Sequence, residues 1–394
     1  MKLLDGITVL DFTQFLAGSY CAMLMGDMGA KVVKIERPQT GEVYRNYGPK
    51  FIGGESTSFL SVNRNKKSLT LNLKDPEAVS LALKLISRAD ILVENFTPGA
   101  MEKLGLGYGA ASQANPALIY CSISGFGHTG PYRNRGGFDL ILQGMSGIMH
   151  VTGEADGPPV KVGYAVTDLG AGMFGALGIL AALVARQKTG KGKRVDTSLL
   201  EAGLAWSILT AGNYFADGEI QQRSGSTSPQ NAPYQAFETA DGFINVGTGN
   251  DRLWVKFCGI LDLTELPKDP RFKDNASRVK NQKNLEREIA PAMKQKTTRE
   301  WVELLEQSGI PAGPIYDIAE ALSDPQALSR DMVVGYDHPK AGRVKTVGFP
   351  IKFSNEEYEI SNPPPLLGQH NEEILLSLGC TKGEINKLKR KGVI

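Results

Sequence analysis

The chain has 394 residues, and its 44 Lys and Arg against 42 Asp and Glu leave a formal net charge of +2. This balance argues against nonspecific binding to nucleic acid or to a membrane surface, and the length predicts two domains. A hydrophobic fraction of 41% is ordinary for a globular protein. The amino terminus carries no signal-peptide pattern, so we expect a cytoplasmic location, or an organelle matrix if a targeting peptide has been removed.

The amino-terminal part of the chain alternates between strand and helix patterns. The predicted strands ITVLDFT (7–13) and KVVKIERP (31–38) flank the helical segment GSYCAMLMGDMGA (18–30). The same unit recurs over residues 68–95, and ALIYCSISGFG (117–127) is a further strand. Strands that alternate with helices predict an α/β fold in which helices cover both faces of a parallel sheet.

A carboxylate stands at the next junction, within VGYAVTDLGAG (162–172). An apolar run ends there in Thr167 and Asp168, and small residues follow at once. An Asp where a strand passes into a helix is a preferred N-cap. A carboxylate at a helix start among small residues can also meet a ligand and act as a covalent nucleophile. These residues alone leave both interpretations open.

The second half of the chain changes in character. The apolar run MFGALGILAALVA (173–185) predicts a buried helix, because it is too short to cross a bilayer. A polar Gly/Ser/Pro segment (221–233) precedes YQAFETADGFINVGTG (234–249), which predicts a hairpin turning at Asp241-Gly242. We therefore predict a large domain over residues 1–225, a smaller α+β domain over 226–330 and a return to the large domain over 331–394.

The patterns of common cofactor and metal sites are missing. A dinucleotide site needs GxGxxG directly after the first strand, and DFTQFLAGS (11–19) stands there instead. The four His and the four Cys are scattered without the spacing of metal ligands. The sequence therefore predicts neither an NAD or FAD site nor a metal site.

Basic residues cluster in SVNRNKKSLTLNLK (61–74), and Arg37 ends the second predicted strand. The cluster consists of Arg64, Lys66, Lys67 and Lys74. It is either a solvated surface or a site for a phosphate-rich ligand over the carboxyl ends of the strands, where open α/β sheets bind their ligands. The second interpretation gains from VENFTPGAM (93–101), in which Pro98 is predicted to open a helix whose amino terminus favours anions.

Seven segments, taken in order, resemble the class III CoA-transferases, the family of formyl-CoA transferase and carnitine CoA-transferase. They are LDGITVLDFTQFLAGSYCAMLMGDMGAKVVKIERP (4–38), SVNRNKKSLTLNLK (61–74), ILVENFTPGAMEKLGLGY (91–108), YCSISGFGHTGPY (120–132), TDLGAGMFGALGILAAL (167–183), KTGKGKRVDTSLLEA (188–202) and PPPLLGQHNEEIL (363–375). The resemblance implies an interlocked homodimer. Each subunit would have a large Rossmann-like domain built from both chain ends and a small domain from the middle.

The resemblance also implies roles for particular residues. In the family, an Asp that matches Asp168 attacks an acyl-CoA thioester, so that a mixed anhydride forms and CoA thiolate leaves. An aspartyl-CoA thioester then passes CoA to a carboxylic acid. By matching position, CoA would contact Phe15, Leu16, Ala17, Arg37, Leu71, Lys74, Asn95, Phe96, Lys103, Leu104 and Leu199. The implied ligands are an acyl-CoA substrate and a small carboxylic acid, with no tightly bound cofactor.

Departures from family patterns narrow the range of substrates and reactions that we expect. Leu16 stands where formyl-CoA transferases have Gln, which argues against oxalate, and Asp139 replaces a family Glu near the reacting centre. The related α-methylacyl-CoA racemases need a His in a GHD motif, and this chain has GGFD, with Phe138 in its place. Racemase activity stays an alternative, as does a non-catalytic acyl-CoA-binding relative, although Asp168 speaks against the latter.

Within the family the chain looks most like the branch that uses succinyl-CoA and dicarboxylates such as glutarate. A dicarboxylate needs a cation for its distal carboxylate, and arginine suits that role. The candidates are Arg45, Arg64, Arg133, Arg135 and Arg223. We predict Arg45 and Arg135, with Asp139, as substrate-contacting residues.

Overall fold

The computed structural model of the chain describes residues 2–394. The strands are β1 (Thr8–Phe12), β2 (Lys31–Glu36), β3 (Phe51–Ile52), β4 (Glu55–Ser56), β5 (Lys66–Thr70), β6 (Ile91–Glu94), β7 (Ile119–Ser124), β8 (Arg194–Ser198), β9 (Tyr234–Glu238), β10 (Phe243–Gly247), β11 (Ala312–Pro314), β12 (Val333–His338) and β13 (Gly342–Val347). The predicted early strands at residues 7–13, 31–38 and 117–127 are confirmed, each within a few residues.

The helices follow the predicted pattern over the first hundred residues and are more numerous beyond it. They are α1 (Ala17–Asp27), α2 (Thr57–Val62), α3 (Pro76–Ile86), α4 (Ala100–Lys103), α5 (Tyr108–Ala114), α6 (Asp139–Met145), α7 (Ile148–Val151), α8 (Val166–Thr189), α9 (Leu199–Trp206), α10 (Ile208–Asp217), α11 (Asp251–Ile260), α12 (Asn275–Lys280), α13 (Gln282–Met293), α14 (Thr298–Gln307), α15 (Ile318–Ser323), α16 (Pro325–Ser329), α17 (Asn371–Ser377) and α18 (Lys382–Arg390). Two short 3₁₀ helices span Val43–Asn46 and Leu266–Lys268.

The chain folds into two compact units. The first contains the described residues up to Gly147, Val162–Ile208 and Pro325–Ile394, and the second contains Ile148–Lys161 and Leu209–Asp324. These bounds differ from the predicted domain limits at residues 225 and 330, because residues 148–161 and 209–225 pack within the second unit. The predicted domains, as regions that fold on their own, stay a prediction.

A six-stranded parallel sheet forms the centre of the first unit. Its strand order is β5-β2-β1-β6-β7-β8, and every neighbouring pair is parallel. The chain builds outward from β1 in one direction through β2 and then in the other through β6. This reversal creates a topological switch point, where the carboxyl ends of β1 and β6 diverge and leave room for a ligand.

Apolar layers cover both faces of this sheet, as predicted. On one face Leu10 and Leu92 pack with side chains of α3, α17 and α18, and the final residues Val393 and Ile394 belong to the same layer. On the other face Val9 and Val93 pack with side chains of α1 and α8. The carboxyl-terminal end of the chain therefore completes the core of the first unit.

Helix α8 extends the predicted apolar segment of residues 173–185 to 24 residues. Gly172 lets it approach α1 closely, since a Cβ at this position would lie 2.6 Å from the carbonyl oxygen of Ala17. On length and composition alone this helix could cross a membrane, but 44% of its most apolar stretch is buried inside the protein. A core helix of a globular unit has the same properties, so the helix is weak support for a membrane span.

The second unit has a three-stranded antiparallel sheet of its own, in the order β11-β10-β9. The predicted hairpin at residues 234–249 is confirmed, since β9 and β10 pair with Glu238 opposite Phe243. Helices α11, α13 and α14 bury Trp254, Leu285 and Trp301 in one apolar cluster with the sheet.

Candidate active site

The switch point is stabilised by one side chain that joins its two strands. Asn95, directly after β6, accepts a hydrogen bond from the Gln14 N–H at 2.8 Å and donates one to the Gln14 carbonyl at 2.7 Å. Gly18 in the first turn of α1 permits the same close approach, since a Cβ there would lie 2.5 Å from Cγ2 of Thr13. The loops after β1 and β6 are therefore locked together where open α/β sheets bind ligands.

One cavity, the outer cavity, lies beside the carboxyl end of β2 and has a volume of about 390 Å³. Its lining includes Arg37, Leu71, Lys74, Phe96 and Leu104. Arg37 and Lys74 are exposed cations, whereas Leu71 is buried in the core. Two cations beside apolar side chains suit a ligand that carries phosphate groups.

A second cavity, the Asp168 cavity, has a volume of about 420 Å³. It is lined by Phe15, Ala17, Tyr44, Tyr47, Asn95, Phe96, Thr97, Pro98, Ile123, Ser124, Gly125, Arg135, Gly136, Gly137, Phe138, Asp139, Leu140, Asp168 and Leu199. Phe96 lines both cavities. The two cavities therefore adjoin at Phe96.

Aromatic side chains form one wall of the Asp168 cavity. The ring of Phe15 makes edge contacts with Tyr44 and Phe138, with centroids 5.6 and 6.0 Å apart. Tyr47 lies against Tyr44 at 5.4 Å. This wall gives the cavity one apolar side, and a charge beside apolar groups interacts strongly with its surroundings.

Asp168 is not the N-cap of its helix, so the capping interpretation is wrong. No strand leads directly into the helix, Ala165 is the N-cap residue, and Asp168 is the third residue of α8. Its side chain makes no hydrogen bond to any part of residues 2–394. The carboxylate thus faces the cavity uncommitted, close to the positive end of the α8 dipole.

Asp139, rather than Asp168, accepts the hydrogen bonds of polar groups at the start of α8. Its Oδ1 accepts hydrogen bonds from the N–H and the hydroxyl of Thr167, at 2.9 and 2.8 Å. Its Oδ2 accepts one from Nε2 of Gln143 at 2.7 Å. Asp139 therefore caps α8 from another helix and leaves Asp168 free.

The surroundings make Asp168 an unusually weak acid for its type. Burial, followed by the charge of Asp139, raises the pKa of Asp168 to about 7. Burial, followed by the charge of Asp168, also raises the pKa of Tyr44 to about 12. A carboxylate that is costly to keep charged is a reactive nucleophile, and such shifts cluster at functional sites.

Most of the predicted site residues lie in these two cavities. Arg37, Leu71, Lys74 and Leu104 line the outer cavity, and Phe15, Ala17, Asn95, Arg135, Asp139, Asp168 and Leu199 line the Asp168 cavity, with Phe96 in both. Leu16 and Lys103 line neither cavity. Lys103 lies in α4, which begins at Ala100 rather than at Pro98 and has only four residues.

Arg45 lies apart from the Asp168 cavity. Its guanidinium donates two hydrogen bonds to Glu36, at 2.6 and 2.7 Å, and one to the Pro365 carbonyl. The ring of Phe59 covers its charge at 3.8 Å, and only 7% of the side chain is exposed. A guanidinium already paired in this way has no free edge for a ligand carboxylate.

Two of the four residues of the basic cluster, Arg64 and Lys66, are structural, so the interpretation of the cluster as a phosphate site is wrong for them. Arg64 is 3% exposed and pairs with Asp27, and Lys66 is 1% exposed and pairs with Asp11. Lys67 pairs with Glu373 in α17. Lys74 alone reaches a ligand-sized cavity that also contains Arg37.

The tyrosines of the aromatic wall and the role of Gln14 have no recognisable signal in the sequence. Tyr44 and Tyr47 stand three residues apart in VYRNYGP (43–49), where a 3₁₀ turn brings both to one side. Two aromatic residues at this spacing are common in ordinary loops, so the sequence offered no signal that they face a carboxylate.

Comparison with known proteins adds to this geometry. A family model described as CoA-transferase family III matches residues 4–371. Succinyl-CoA:glutarate CoA-transferase of Mus musculus is 42% identical, over 100% of this chain and 91% of its own. Succinyl-CoA:mesaconate CoA-transferase of Haloarcula hispanica is 40% identical, over 97% of this chain and 98% of its own. The crystal structure of a CAIB/BAIF family protein from Brucella suis superposes with a TM-score of 0.85 at 36% identity, covering 96% of this chain and 99% of that one.

Proposed function

Because the chain belongs to CoA-transferase family III and is an enzyme that transfers CoA, we propose that it moves CoA from succinyl-CoA to a dicarboxylic acid such as glutarate, through covalent intermediates on Asp168. One observation carries this proposal. The Asp168 carboxylate has no hydrogen-bond partner within residues 2–394 and faces a cavity of about 420 Å³ at the switch point of the sheet. A carboxylate so placed is available to an acyl carbon.

The proposed reaction runs through four acyl transfers. An oxygen of Asp168 attacks the thioester carbon, the C–S bond breaks, and a mixed anhydride and CoA thiolate result. The thiolate attacks the aspartyl carbon of the anhydride, which releases succinate and leaves an aspartyl-CoA thioester. The acceptor carboxylate then displaces CoA from Asp168 to form a second anhydride. Attack of the thiolate on the acceptor's acyl carbon yields the new acyl-CoA and regenerates the carboxylate.

The positions of the two cavities support the proposal that CoA extends from one to the other when it binds. Arg37 and Lys74 would pair with phosphate groups in the outer cavity. The chain between phosphates and sulfur would pass Phe96, which lines both cavities, and would bring the thioester to Asp168. The aromatic wall would keep water from the anhydride, whose hydrolysis is the main side reaction.

A direct test is the detection of the covalent intermediate. We expect a peptide that contains Asp168 to gain the mass of a succinyl or CoA group after brief incubation with succinyl-CoA and acid quenching. Mass spectrometry of the digested protein measures this. An adduct on a different residue of an enzyme that turns over normally would contradict the role given to Asp168.

The proposal that the acceptor is a dicarboxylic acid is supported by the position of Arg135 and by the names of two similar proteins. The two relatives described above are named for glutarate and mesaconate, which are dicarboxylic acids. Arg135 is exposed, lines the Asp168 cavity, and is held over the ring of Tyr132 at 4.6 Å. Its guanidinium can therefore bind the distal carboxylate while the other carboxylate reacts at Asp168.

Replacing Arg135 with leucine should raise the KM for glutarate by about 10- to 100-fold, because a charged hydrogen bond contributes roughly 1.5–3 kcal/mol. The KM for succinyl-CoA as donor should rise as well, since succinate has a second carboxylate. A monocarboxylic acceptor should show little change. Arg133→Leu is the control, because Arg133 is exposed on the same loop but lines neither cavity. Equal effects of both variants would exclude Arg135 as the specific contact.

Activity should rise with pH through about 7, because the attacking form of Asp168 is the carboxylate and its pKa is about 7. Asp139→Asn removes one of the two causes of that raised pKa, so the acid limb of the kcat/KM profile should move to lower pH. The remaining cause, burial, should keep the limb above the ordinary pKa of an Asp. An unmoved limb in the variant would show that another group controls it.

We also propose that two copies of the chain form the interlocked dimer that the resemblance implies. In the first unit, the apolar residues Met173, Leu177 and Trp206 are 45–62% exposed, and a partner subunit would cover them. Sedimentation should give twice the 42.5 kDa mass of one chain, and a monomer would contradict the dimer. The cytoplasmic location stays a prediction.

A further inference from the structure

The turn that carries Phe15 has a backbone conformation that must be held in place. Phe15 has a φ of +58°, in the left-handed region that an aromatic residue rarely adopts. Conformations of this kind cost about 1–3 kcal/mol and persist only where the surroundings enforce them. Asn95 fixes Gln14 on one side of the turn, but Phe15 needs a partner of its own.

That partner is Glu42, a residue that sequence analysis did not single out. Its Oε2 accepts hydrogen bonds from the backbone N–H of Phe15 at 3.2 Å and of Tyr44 at 3.0 Å. The side chain is 2% exposed. One carboxylate oxygen thus joins two segments that are 29 residues apart in the chain, and both present an aromatic ring to the Asp168 cavity.

The other oxygen of Glu42 faces a buried cation. Oε1 lies 3.9 Å from Nζ of Lys34, and Nδ2 of Asn63 approaches it at 3.5 Å. Lys34 also donates to the Thr13 carbonyl at 2.9 Å, two residues before Phe15. Lys34 and Asn63 therefore balance the charge of the carboxylate and fix Oε1, while Oε2 binds the backbone of the aromatic wall.

We propose that Glu42 is a positioning residue for CoA transfer, which sets the Phe15–Tyr44 wall against the reacting acyl group without touching the substrate. This inference rests on the proposed reaction at Asp168. Glu42 lines the outer cavity, but its carboxylate is buried and already accepts hydrogen bonds from two backbone N–H groups. A displacement of about 1 Å in a reacting geometry can cost roughly 100-fold in rate, so support of this kind has a kinetic signature.

Two variants distinguish the effect of the position of the Glu42 carboxylate from the effect of its charge. Glu42→Gln keeps the length of the side chain but turns one oxygen into a donor, which then meets either the two N–H groups or Lys34 and Asn63. Glu42→Asp keeps the charge opposite Lys34 but withdraws the carboxylate by one methylene. If Glu42 positions the wall, both variants should lower kcat by about 10- to 100-fold. The Kd for free CoA, which depends on Arg37 and Lys74, should change by less than about threefold by calorimetry.

Asp90→Asn is the matched control. Asp90 accepts the backbone N–H of Thr8 at 2.9 Å and faces Arg186 at 2.9 Å, but it directly precedes β6, at the amino-terminal end of that strand, and lines neither cavity. Its kcat should stay within about twofold of the unmodified enzyme. Restoration of full kcat by Glu42→Asp would overturn the proposal, since charge alone would then suffice. So would a loss of kcat in Asp90→Asn as large as that in the Glu42 variants. If the unmodified enzyme forms no adduct on Asp168, the proposed reaction fails instead.

Discussion

Replacing Asp168 with asparagine should reduce kcat for CoA transfer by at least about 10³-fold, because the neutral amide cannot form the anhydride on which every later step depends. Asparagine has nearly the same shape as aspartate, and Asp168 makes no hydrogen bond within residues 2–394 that the amide would lose. Transfer from succinyl-CoA to glutarate, followed by chromatography of the CoA thioesters, measures the effect. A variant that turns over at the normal rate would exclude Asp168 as the nucleophile.

The stability of the same variant distinguishes a functional role from a structural one. The folded pKa of Asp168 lies near 7, above its ordinary value of 3.8, so between these values the folded state binds more protons than the unfolded state. The contribution of Asp168 to stability is therefore lost as pH rises from about 4 to 7. Asp168→Asn removes this loss, and above pH 7 it should unfold at the same or a higher temperature than the unmodified protein. Unfolding at a clearly lower temperature would indicate that Asp168 supports the fold.

Replacing Lys66 with methionine should lower the free energy of unfolding by about 3–5 kcal/mol, the usual cost of leaving a buried charge without its partner. Nζ of Lys66 donates to Asp11 at 2.9 Å, to the Ser19 carbonyl at 2.9 Å and to Asn63 at 2.8 Å. Burial works to raise the pKa of Asp11, yet Lys34 and Lys66 outweigh it and hold that pKa below its usual value. Without Lys66, Asp11 keeps its hydrogen bonds from Thr13, but its nearest cation is the more distant Lys34, at 3.7 Å.

The neighbouring lysine provides the control for this prediction. Lys67 pairs with Glu373, and the two side chains are 28% and 54% exposed. Exposed pairs contribute about 0–1 kcal/mol, so Lys67→Met should have little effect on the midpoint of urea unfolding. If the two variants are equally stable, the buried pair of Lys66 and Asp11 is not the source of stability that we infer.

Local patterns identified the architecture of the first unit because each depends on residues close together in the chain. The continuous apolar runs around residues 7–13 and 117–127 mark strands buried on both faces, and the structure has β1 and β7 there. Asp75 with Pro76 marks the start of α3, where the Asp75 side chain accepts the Glu77 N–H. Helix α8 is longer than the predicted apolar segment, because Thr167, Asp168 and glycines interrupt the apolar pattern on one side and RQKT (186–189) is polar on the other.

Candidate site residues could be named by type and by resemblance, but the partners of their side chains could not. Asp168 stands near the start of a helix, as the sequence indicates, yet the residue that caps this helix is Asp139, 28 positions before Thr167. Arg64 and Arg45 are of a residue type that often binds anionic ligands, but they pair with Asp27 and Glu36 instead. Glu42 gave no signal at all, although its carboxylate reaches both sides of the aromatic wall.

The sequence by itself determined the α/β class and the parallel strands, since propensity and periodicity are properties of chain neighbours, and the family resemblance pointed to Asp168 as the candidate nucleophile. Only the tertiary structure decided which charges are free to act. Whether a carboxylate is a nucleophile, a cap or half of an ion pair depends on the atoms within about 4 Å of it. For Asp11 and Lys66 those atoms come from positions 55 residues apart in the chain.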